Sequence, residues 1–170
     1  MTGTAMQIRP ALGTDVAALQ QLILNDGPND WNYLPADGVA ATLQQLAAGQ
    51  VQGLLAEQQG RVIGVMLFAC DDPYPQYRPA DIAPAQAAFL IEAVISRDCA
   101  GQGLGSRLLL AVCAVLAEQG CGWLCADRHQ ENAGSAGMMR KAGFAELGSY
   151  PDSERRWSGS RRTTVCGRRL

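Results

Sequence analysis

Residues 98–109 read DCAGQGLGSRLL, with a glycine at every second position from 101 to 105 and an apolar helical pattern directly afterwards. An apolar run typical of a strand, AAFLIEAVIS at 87–96, precedes them. A strand that ends in a glycine-rich turn and continues as a helix leaves backbone N–H groups unpaired, and such groups attract anions. Glycine also permits close approach of phosphate oxygens and adopts positive φ without strain. A tight turn that binds no ligand would have the same composition, so both interpretations stay open here.

Two other phosphate-binding motifs fit this segment poorly. A P-loop ends in Gly-Lys-Ser/Thr, whereas this segment has Gly105, Ser106 and Arg107. A dinucleotide fingerprint has its last glycine where Ser106 stands, and it lies near the first strand of a parallel unit rather than after several strands. Asp127 lies at a tolerable distance for a ribose-binding acid, but the glycine spacing disfavours a nucleotide-dependent oxidoreductase.

The patterns along the chain predict the order strand, helix, helix, three strands, helix, strand, helix and two strands. Thr14 is expected to cap the first helix. The polar turn QQGR at 58–61 separates two strands of a hairpin, and four prolines within 71–86 predict a long surface loop. No repeat or linker divides the chain. We therefore predict a single α/β domain over residues 1–170, with a mixed sheet of the α+β type.

Charge is unevenly distributed along the chain of 170 residues, whose formal net charge is -2. Residues 1–154 carry 8 basic and 16 acidic side chains, whereas residues 155–170 carry six arginines and no acid. The basic segment predicts either a solvated hairpin or contact with an anionic ligand or partner. Nucleic acid is not expected as a partner, because the whole domain has no basic surplus and no nucleic-acid-binding signature.

Six cysteines are present without a Cys-x-x-Cys pair and with a single histidine, His129, so we expect no metal site and interpret most cysteines as core residues. The longest apolar run, at 108–117, is about half of the roughly 20 residues that a membrane span needs. Residues 1–10 lack the pattern of a secretory leader. These features are typical of a cytoplasmic protein without a membrane partner.

A second segment, NAGSAGMMRKAGF at 132–144, changes the interpretation of the glycine turn. The two segments together resemble the paired motifs of the GNAT family of N-acetyltransferases. Gly103 and Gly105 match the glycines of the first motif, and Asn132, Gly143 and Phe144 match the second at the same spacing. The resemblance implies a mostly antiparallel sheet of about seven strands flanked by about four helices.

The same resemblance implies transfer of an acetyl group from acetyl-CoA, as co-substrate, to an amine. The pyrophosphate of the cofactor would lie on the backbone amides of residues 100–105, and its pantetheine arm would run beside the strand that ends near Ser96. The residues expected to bind acetyl-CoA are Val94, Ile95, Ala100, Gly101, Gln102, Gly103, Leu104, Gly105, Ser106, Asn132 and Ser135.

Three positions depart from the family pattern. Ala100 replaces the usual Arg or Gln and leaves pyrophosphate binding to backbone groups, while Ser135 stands where Ala is usual. Met139 replaces the usual Tyr, and a thioether has no proton to donate. The alternative to an enzyme is therefore a non-catalytic acyl-CoA-binding or regulatory module of the same fold.

Glu92 is the candidate general base. An alkyl amine has a pKa of about 10.4 and must lose a proton before it attacks a thioester. Strand alternation is expected to place Glu92 on the opposite face from Ile91 and Ala93, in surroundings that raise its pKa. The alternative is an exposed carboxylate on an open sheet face. The backbone N–H of Val94 or Ile95 could hold the oxyanion.

The leaving thiolate needs a proton from another source than Met139. Tyr150 is the catalytic side-chain candidate for this role, with Ser135 as an alternative, and a proton from water or departure without any acid is favoured over both. The acceptor is expected to contact aromatic residues of two loops through cation–π interactions, or else these loops only make turns. The acceptor-binding candidates are Trp31, Tyr33, Tyr74 and Tyr77. The expected partner is a small-molecule or peptide amine, and formation of a homodimer is left open.

Overall fold

In the described residues, 5–170, the computed structural model of the protein has seven strands and four α-helices. In chain order these are β1 (Gln7–Pro10), α1 (Val16–Asp26), α2 (Ala36–Ala47), β2 (Gln52–Gln58), β3 (Arg61–Ala69), β4 (Ala87–Ile95), α3 (Leu104–Glu118), β5 (Trp123–His129), α4 (Ala133–Lys141), β6 (Ala145–Pro151) and β7 (Arg162–Arg169). The predicted order of elements is confirmed.

The seven strands form one sheet in the order β1-β2-β3-β4-β5-β7-β6. Only β4 and β5 are parallel, and every other neighbouring pair is antiparallel. Each strand found in residues 5–170 therefore belongs to the same sheet. Residues 1–4 lie outside the described residues, so the single domain over residues 1–170 stays a prediction. The same four residues begin the segment 1–10 that was used to argue against a secretory leader, and that argument also stays a prediction.

Helices cover both faces of the sheet. Alternate residues of a strand face opposite sides, which β2 and β3 show clearly. Leu54 and Met66 pair across these strands and join the apolar cluster built on α3. Their neighbours Leu55 and Val65 also pair and join the cluster formed with α1 and α2. The two sides of the sheet thus belong to separate apolar cores.

The sheet opens in its middle, between β4 and β5. Their pairing begins at Ala87 and Trp123 and stops at Leu90 and Ala126, although both strands continue further. Beyond this point the facing edges of the two strands have no strand partner. The resulting gap leaves room for ligands between the halves of the sheet.

A β-bulge at Ile91 changes which side chains face this gap. Phe68 of β3 pairs with Leu90, and Leu67 pairs with Glu92, so Ile91 is the extra residue. The bulge interrupts the alternation, and Ile91 and Glu92 line the same small cavity. The expectation that Glu92 faces away from Ile91 was therefore wrong.

The start of α1 also differs from the prediction. Thr14 lies in a short 3-10 turn, and Asp15 rather than Thr14 occupies the cap position of α1, without a capping side-chain bond. The Asp15 carboxylate instead accepts the N–H of Leu12 at 2.8 Å and pairs with Arg9 at 2.9 Å. Asp15 thus ties the start of this segment to β1, and neither Asp15 nor Thr14 caps α1 through its side chain.

Four of the six cysteines are buried, Cys113, Cys121, Cys125 and Cys166, which agrees with their interpretation as core residues. Within residues 5–170, no group of three or more His, Cys, Asp or Glu side chains is arranged to hold a metal ion. None of the helices in this range combines the length and the apolarity that a membrane crossing requires.

Candidate active site

The glycine turn forms an open concave surface before α3. Gly101 and Gly103 both have a φ of +75°, a left-handed conformation that residues with a Cβ rarely adopt. A Cβ at either position would meet nothing within 4 Å. Gly105 differs, because a Cβ there would lie 2.9 Å from Sδ of Met138 on α4. The first two glycines therefore shape the turn, and the third allows α3 and α4 to approach each other.

Free backbone amides lie at the start of α3. The helix begins at Leu104, and Arg107 donates the first helical hydrogen bond to the carbonyl of Gly103 at 3.1 Å. The N–H groups of Leu104, Gly105 and Ser106 consequently have no acceptor within the helix. The helix dipole adds partial positive charge at this end. An anionic group would be stabilised here.

Two residues of the turn differ from their predicted roles. The Ala100 N–H donates to the carbonyl of Arg97 at 3.2 Å, within a short 3-10 turn, so it is not a free amide. The Gln102 side chain donates back to the carbonyl of Asp98 at 3.3 Å, and the residue is exposed. Within the predicted range of 100–105, the Ala100 amide is thus engaged by a backbone carbonyl, and the start of α3 adds the free amide of Ser106 beyond that range.

A cavity of about 510 Å³ lies between the glycine turn, the end of β4 and the start of α4. Ten of the eleven residues predicted to bind acetyl-CoA line it, and Gln102 is the exception. Lys141, which was not predicted, supplies a cationic side chain to its wall. The sequence signal for Lys141 was its place in the last turn of α4, on the helix that carries Asn132.

The edge of β4 offers further donors to this cavity. The Ser96 N–H donates to Ile63 of β3 at 2.9 Å, which fixes the direction of the strand's amides. In an antiparallel pair the N–H groups alternate between the two edges, so the Val94 N–H also faces β3. The N–H groups of Ala93 and Ile95 face the gap. Of the two amides predicted to hold the oxyanion, Ile95 is available and Val94 is not.

A second cavity of about 420 Å³ adjoins the first on the other side of the gap. Its walls carry the aromatic rings of Trp31, Tyr33 and Trp157, together with the Glu92 carboxylate. The two cavities share part of their lining, so they open into each other. The shared residues are Asn32, Ala93, Asn132, Ser135 and Met138.

We call the place where the two cavities meet the junction. Glu92 lies next to it and has a shifted pKa. Burial raises its pKa to about 7, against contributions from the Ala93 N–H and the Asn32 side chain that lower it. The Ala93 N–H donates to the Glu92 carboxylate at 3.2 Å. The side chain is half-buried rather than exposed on an open face. A carboxyl with this pKa exchanges protons readily at neutral pH.

A profile of the acetyltransferase (GNAT) family matches residues 17–144, well over half of the chain. The chain belongs to the GNAT family. GNAT enzymes use acetyl-CoA as co-substrate, and this protein is accordingly an acetyl-CoA-dependent N-acetyltransferase. A comparison with curated proteins finds no match.

Solved structures share the fold at low sequence identity. The ribosomal-protein-S18-alanine N-acetyltransferase from Escherichia coli is 15% identical, with a TM-score of 0.75 over 98% of this chain and 94% of that one. A ribosomal-protein-alanine N-acetyltransferase from Brucella melitensis is 21% identical, with a TM-score of 0.73 over 96% and 99%. A ribosomal L7/L12 alpha-N-protein acetyltransferase in complex with coenzyme A is 19% identical, with a TM-score of 0.73 over 100% and 96%. These likenesses confirm the predicted GNAT fold.

The second GNAT motif forms the start of α4 at the junction. The Asn132 side chain caps the helix by accepting the N–H of Ser135 at 3.1 Å. Met139, at the position of the usual Tyr, is only 4% exposed and packs in the α3 core while its surface lines the second cavity. The junction thus carries a serine hydroxyl and thioethers, and no phenol from α4.

The predicted acceptor-binding aromatics separate into two pairs. Trp31 and Tyr33 line the second cavity, where Tyr33 stacks on Trp157 with ring centroids 4.4 Å apart. Tyr74 and Tyr77 line neither cavity. They pack with β5 and β6 in a separate apolar cluster and hold the proline-rich loop against the sheet. Their assignment as acceptor-binding residues is therefore corrected.

Tyr150 also lies away from the junction. Its hydroxyl is 2.9 Å from the Tyr74 hydroxyl and accepts a hydrogen bond from Arg155 at 3.0 Å. The residue lines neither cavity, because β7 lies between β5 and the edge strand β6 that carries it. The structure thus gives no support to Tyr150 as the acid.

The basic segment was only partly understood from the sequence. Arg155 and Arg156 in the β6–β7 loop line the second cavity and each pair with Asp127 at 3.1 Å. Tyr74 donates to the same carboxylate at 2.6 Å, and burial together with Asp127 raises the pKa of Tyr74. Asp127, considered above as a ribose ligand, is instead the anchor of this loop.

His129 was missed as a cavity residue, but its ring nitrogens are both engaged. Nδ1 accepts the N–H of Glu131 at 3.0 Å, so Nε2 carries the proton and donates to the carbonyl of Ser158 at 2.8 Å. The side chain is 1% exposed beneath Trp31. It is a structural support for the cavity wall rather than a free base.

Replacement of Asp127 by Asn is expected to lower the free energy of unfolding by about 2 kcal/mol, because Arg156 loses its carboxylate partner and Tyr74 loses its charged acceptor in a partly buried site, whereas Arg155 keeps Asp152 at 2.8 Å. Urea denaturation at pH 7 measures the change. Asp81→Asn is the matched control, since it removes a carboxylate paired with Arg169 at the exposed surface, and we expect a much smaller effect there. Equal destabilisation in the two variants would contradict the anchoring role.

Proposed function

We propose that the protein transfers the acetyl group directly to a primary amine of a small molecule or peptide while both substrates are bound. The observation that carries this proposal is the junction of the two cavities beside Glu92. One cavity offers amides to an anionic cofactor, and the other offers a carboxylate and aromatic rings to an amine. Their shared lining lets the reacting groups meet without an acyl-enzyme.

The first cavity suits acetyl-CoA, which supplies an activated acetyl thioester. The amides of residues 104–106 would hold the pyrophosphate, and Lys141 would add a compensating charge. The free edge of β4 would align the pantetheine amides. This arrangement explains how a chain with Ala100 can bind the cofactor through its backbone.

Glu92 would act as the general base on the incoming amine. An ammonium with a pKa near 10.4 must give up a proton, and a carboxylate with a pKa of about 7 accepts it directly or through a water. The nitrogen then forms a bond to the acetyl carbon as the carbon–sulfur bond breaks. The Ile95 N–H would stabilise the negative charge that develops on the carbonyl oxygen.

The departing thiolate needs little help from the protein. A thiol has a pKa of about 8.5, so a thiolate leaves readily and takes its proton from water. Ser135 carries the hydroxyl that lines both cavities, and Met139 has no proton to give. The proposed mechanism therefore has one catalytic carboxyl and no dedicated side-chain acid.

The proposal is tested by combining ligand stabilisation with initial rates. Acetyl-CoA at about 100 times its Kd should stabilise the protein by roughly 2.7 kcal/mol, whereas NAD should not. Thiol release is then followed over a panel of amines, with both substrates varied. Intersecting double-reciprocal lines are expected for a ternary complex, and parallel lines would contradict direct transfer. Stabilisation without thiol release on any amine would favour the non-catalytic binding module.

A further inference from the structure

A small cavity of about 80 Å³ lies between α2 and the bulged part of β4. We call it the aliphatic pocket. Its apolar wall comes from both helices of this face, the loop between them and the sheet. The apolar side chains that line it are Ile23, Leu34, Pro35, Val39, Leu67 and Ile91.

The polar groups of the aliphatic pocket are few. Besides Glu92, the pocket has one polar side chain, Thr42, whose hydroxyl donates to the carbonyl of Gly38 at 3.1 Å. That hydroxyl is therefore occupied by its own helix. A space with such walls favours an apolar occupant over water, since a buried water needs two to four polar partners.

The aliphatic pocket is continuous with the acceptor side of the active site. Leu34, Pro35, Ile91 and Glu92 line both the pocket and the second cavity. The β-bulge turns Ile91 and Glu92 toward the same side and so places the carboxyl at the pocket's entrance. An amine held at Glu92 would have its nearest substituents at that entrance.

We infer that the acceptor is a primary amine with a small branched aliphatic group one or two carbons from its nitrogen, and that this group occupies the aliphatic pocket. The inference rests on the proposed function and narrows its substrate class. An apolar cavity of about 150 Å³ holds benzene, so 80 Å³ gives room for about three or four carbons. Isopropyl and isobutyl groups fit this size, and an aromatic ring exceeds it.

The test uses glycinamide, alaninamide, valinamide, leucinamide and phenylalaninamide as acceptors, with thiol release as the readout. Each buried methylene is worth roughly a fourfold gain in affinity. We therefore expect kcat/KM to exceed that for alaninamide by roughly 16-fold with valinamide and roughly 64-fold with leucinamide, with phenylalaninamide below leucinamide.

Two variants locate the preference in the pocket. Thr42→Leu fills the space and should remove most of the excess in kcat/KM of leucinamide over alaninamide. Ala41→Leu places the same side chain at an exposed neighbouring position of α2 and should leave the preference unchanged. Val39→Ala enlarges the pocket and should raise kcat/KM for phenylalaninamide. Stabilisation by acetyl-CoA is measured for each variant to confirm folding.

The outcomes separate this inference from the proposed function. Equal kcat/KM across the five amides would overturn the aliphatic pocket while leaving N-acetylation intact. The same holds if these amides do not react but other amines of the panel do, or if Thr42→Leu keeps the preference. Absence of thiol release with every amine, together with stabilisation by acetyl-CoA, would remove the proposed function and the inference with it.

Discussion

Glu92→Gln is expected to lower kcat/KM by about 100-fold to 10,000-fold at pH 7, the usual contribution of a positioned general base. The amide cannot accept the proton of the incoming ammonium. Wild-type activity should fall as the pH drops through about 7, because Glu92 is then protonated. The loss caused by the substitution should shrink toward pH 9, where more of the amine is already free. Equal loss at pH 7 and pH 9 would argue against the base assignment.

The control for this substitution must separate catalysis from folding. Glu118→Gln makes the same change at the exposed end of α3 and should not alter the rate. Burial raises the pKa of Glu92 from 4.5 to about 7 on folding, so its contribution to stability is present below 4.5 and is lost as the pH rises through 7. Glu92→Gln removes this dependence and should be no less stable than the wild type at pH 8.

Local patterns in the sequence predicted the elements and the glycine turn. The spacing of Gly101 and Gly103 predicted where the strand-to-helix turn lies. Both residues adopt left-handed φ values in the structure, a conformation that glycine reaches without strain. Helical periodicity likewise predicted α3. Such patterns lie within about a dozen consecutive residues, so they can be recognised without knowing which distant segments pack against them.

The active-site details that were missed depend on pairing between distant segments. The bulge at Ile91 is defined by the pairing of β4 with β3, and it places Glu92 on the same side as Ile91 rather than on the opposite face. The same pairing turns the Val94 amide toward β3. Tyr150 was a candidate proton donor, but the insertion of β7 beside β5 places it on the far edge strand. Periodicity within one strand contains none of this information.

Charge runs were ambiguous for a related reason. Six arginines without acids in residues 155–170 are typical of a solvated segment. Their acidic partners lie elsewhere in the chain, so the local sequence does not show them. Asp127 on β5 pairs with two of them and holds the loop against the second cavity. The contacts of this segment therefore depend on the sheet order, as does the position of Tyr74 and Tyr77 outside both cavities.

Gly103→Val is expected to weaken acetyl-CoA binding by roughly 100-fold, which corresponds to about 2.8 kcal/mol. A β-branched residue is strongly disfavoured at a φ of +75°, so the turn must change its conformation. That change would redirect the amides of residues 104–106, which are proposed to bind the pyrophosphate. Isothermal titration with acetyl-CoA gives the Kd directly, and Cys99→Ala, a side-chain change on the same cavity, should have a smaller effect.

Gly120→Val at the other end of α3 is the matched control for this substitution. Gly120 has a φ of +87°, and a Cβ there would also meet nothing within 4 Å, so the backbone strain is comparable. Both variants should lose about 1–2 kcal/mol of folding free energy. Only Gly103→Val should lose cofactor affinity, because Gly120 lies outside the first cavity, where acetyl-CoA is proposed to bind. If the two variants bound acetyl-CoA equally well, the cofactor would have to be held by groups other than the amides at the start of α3.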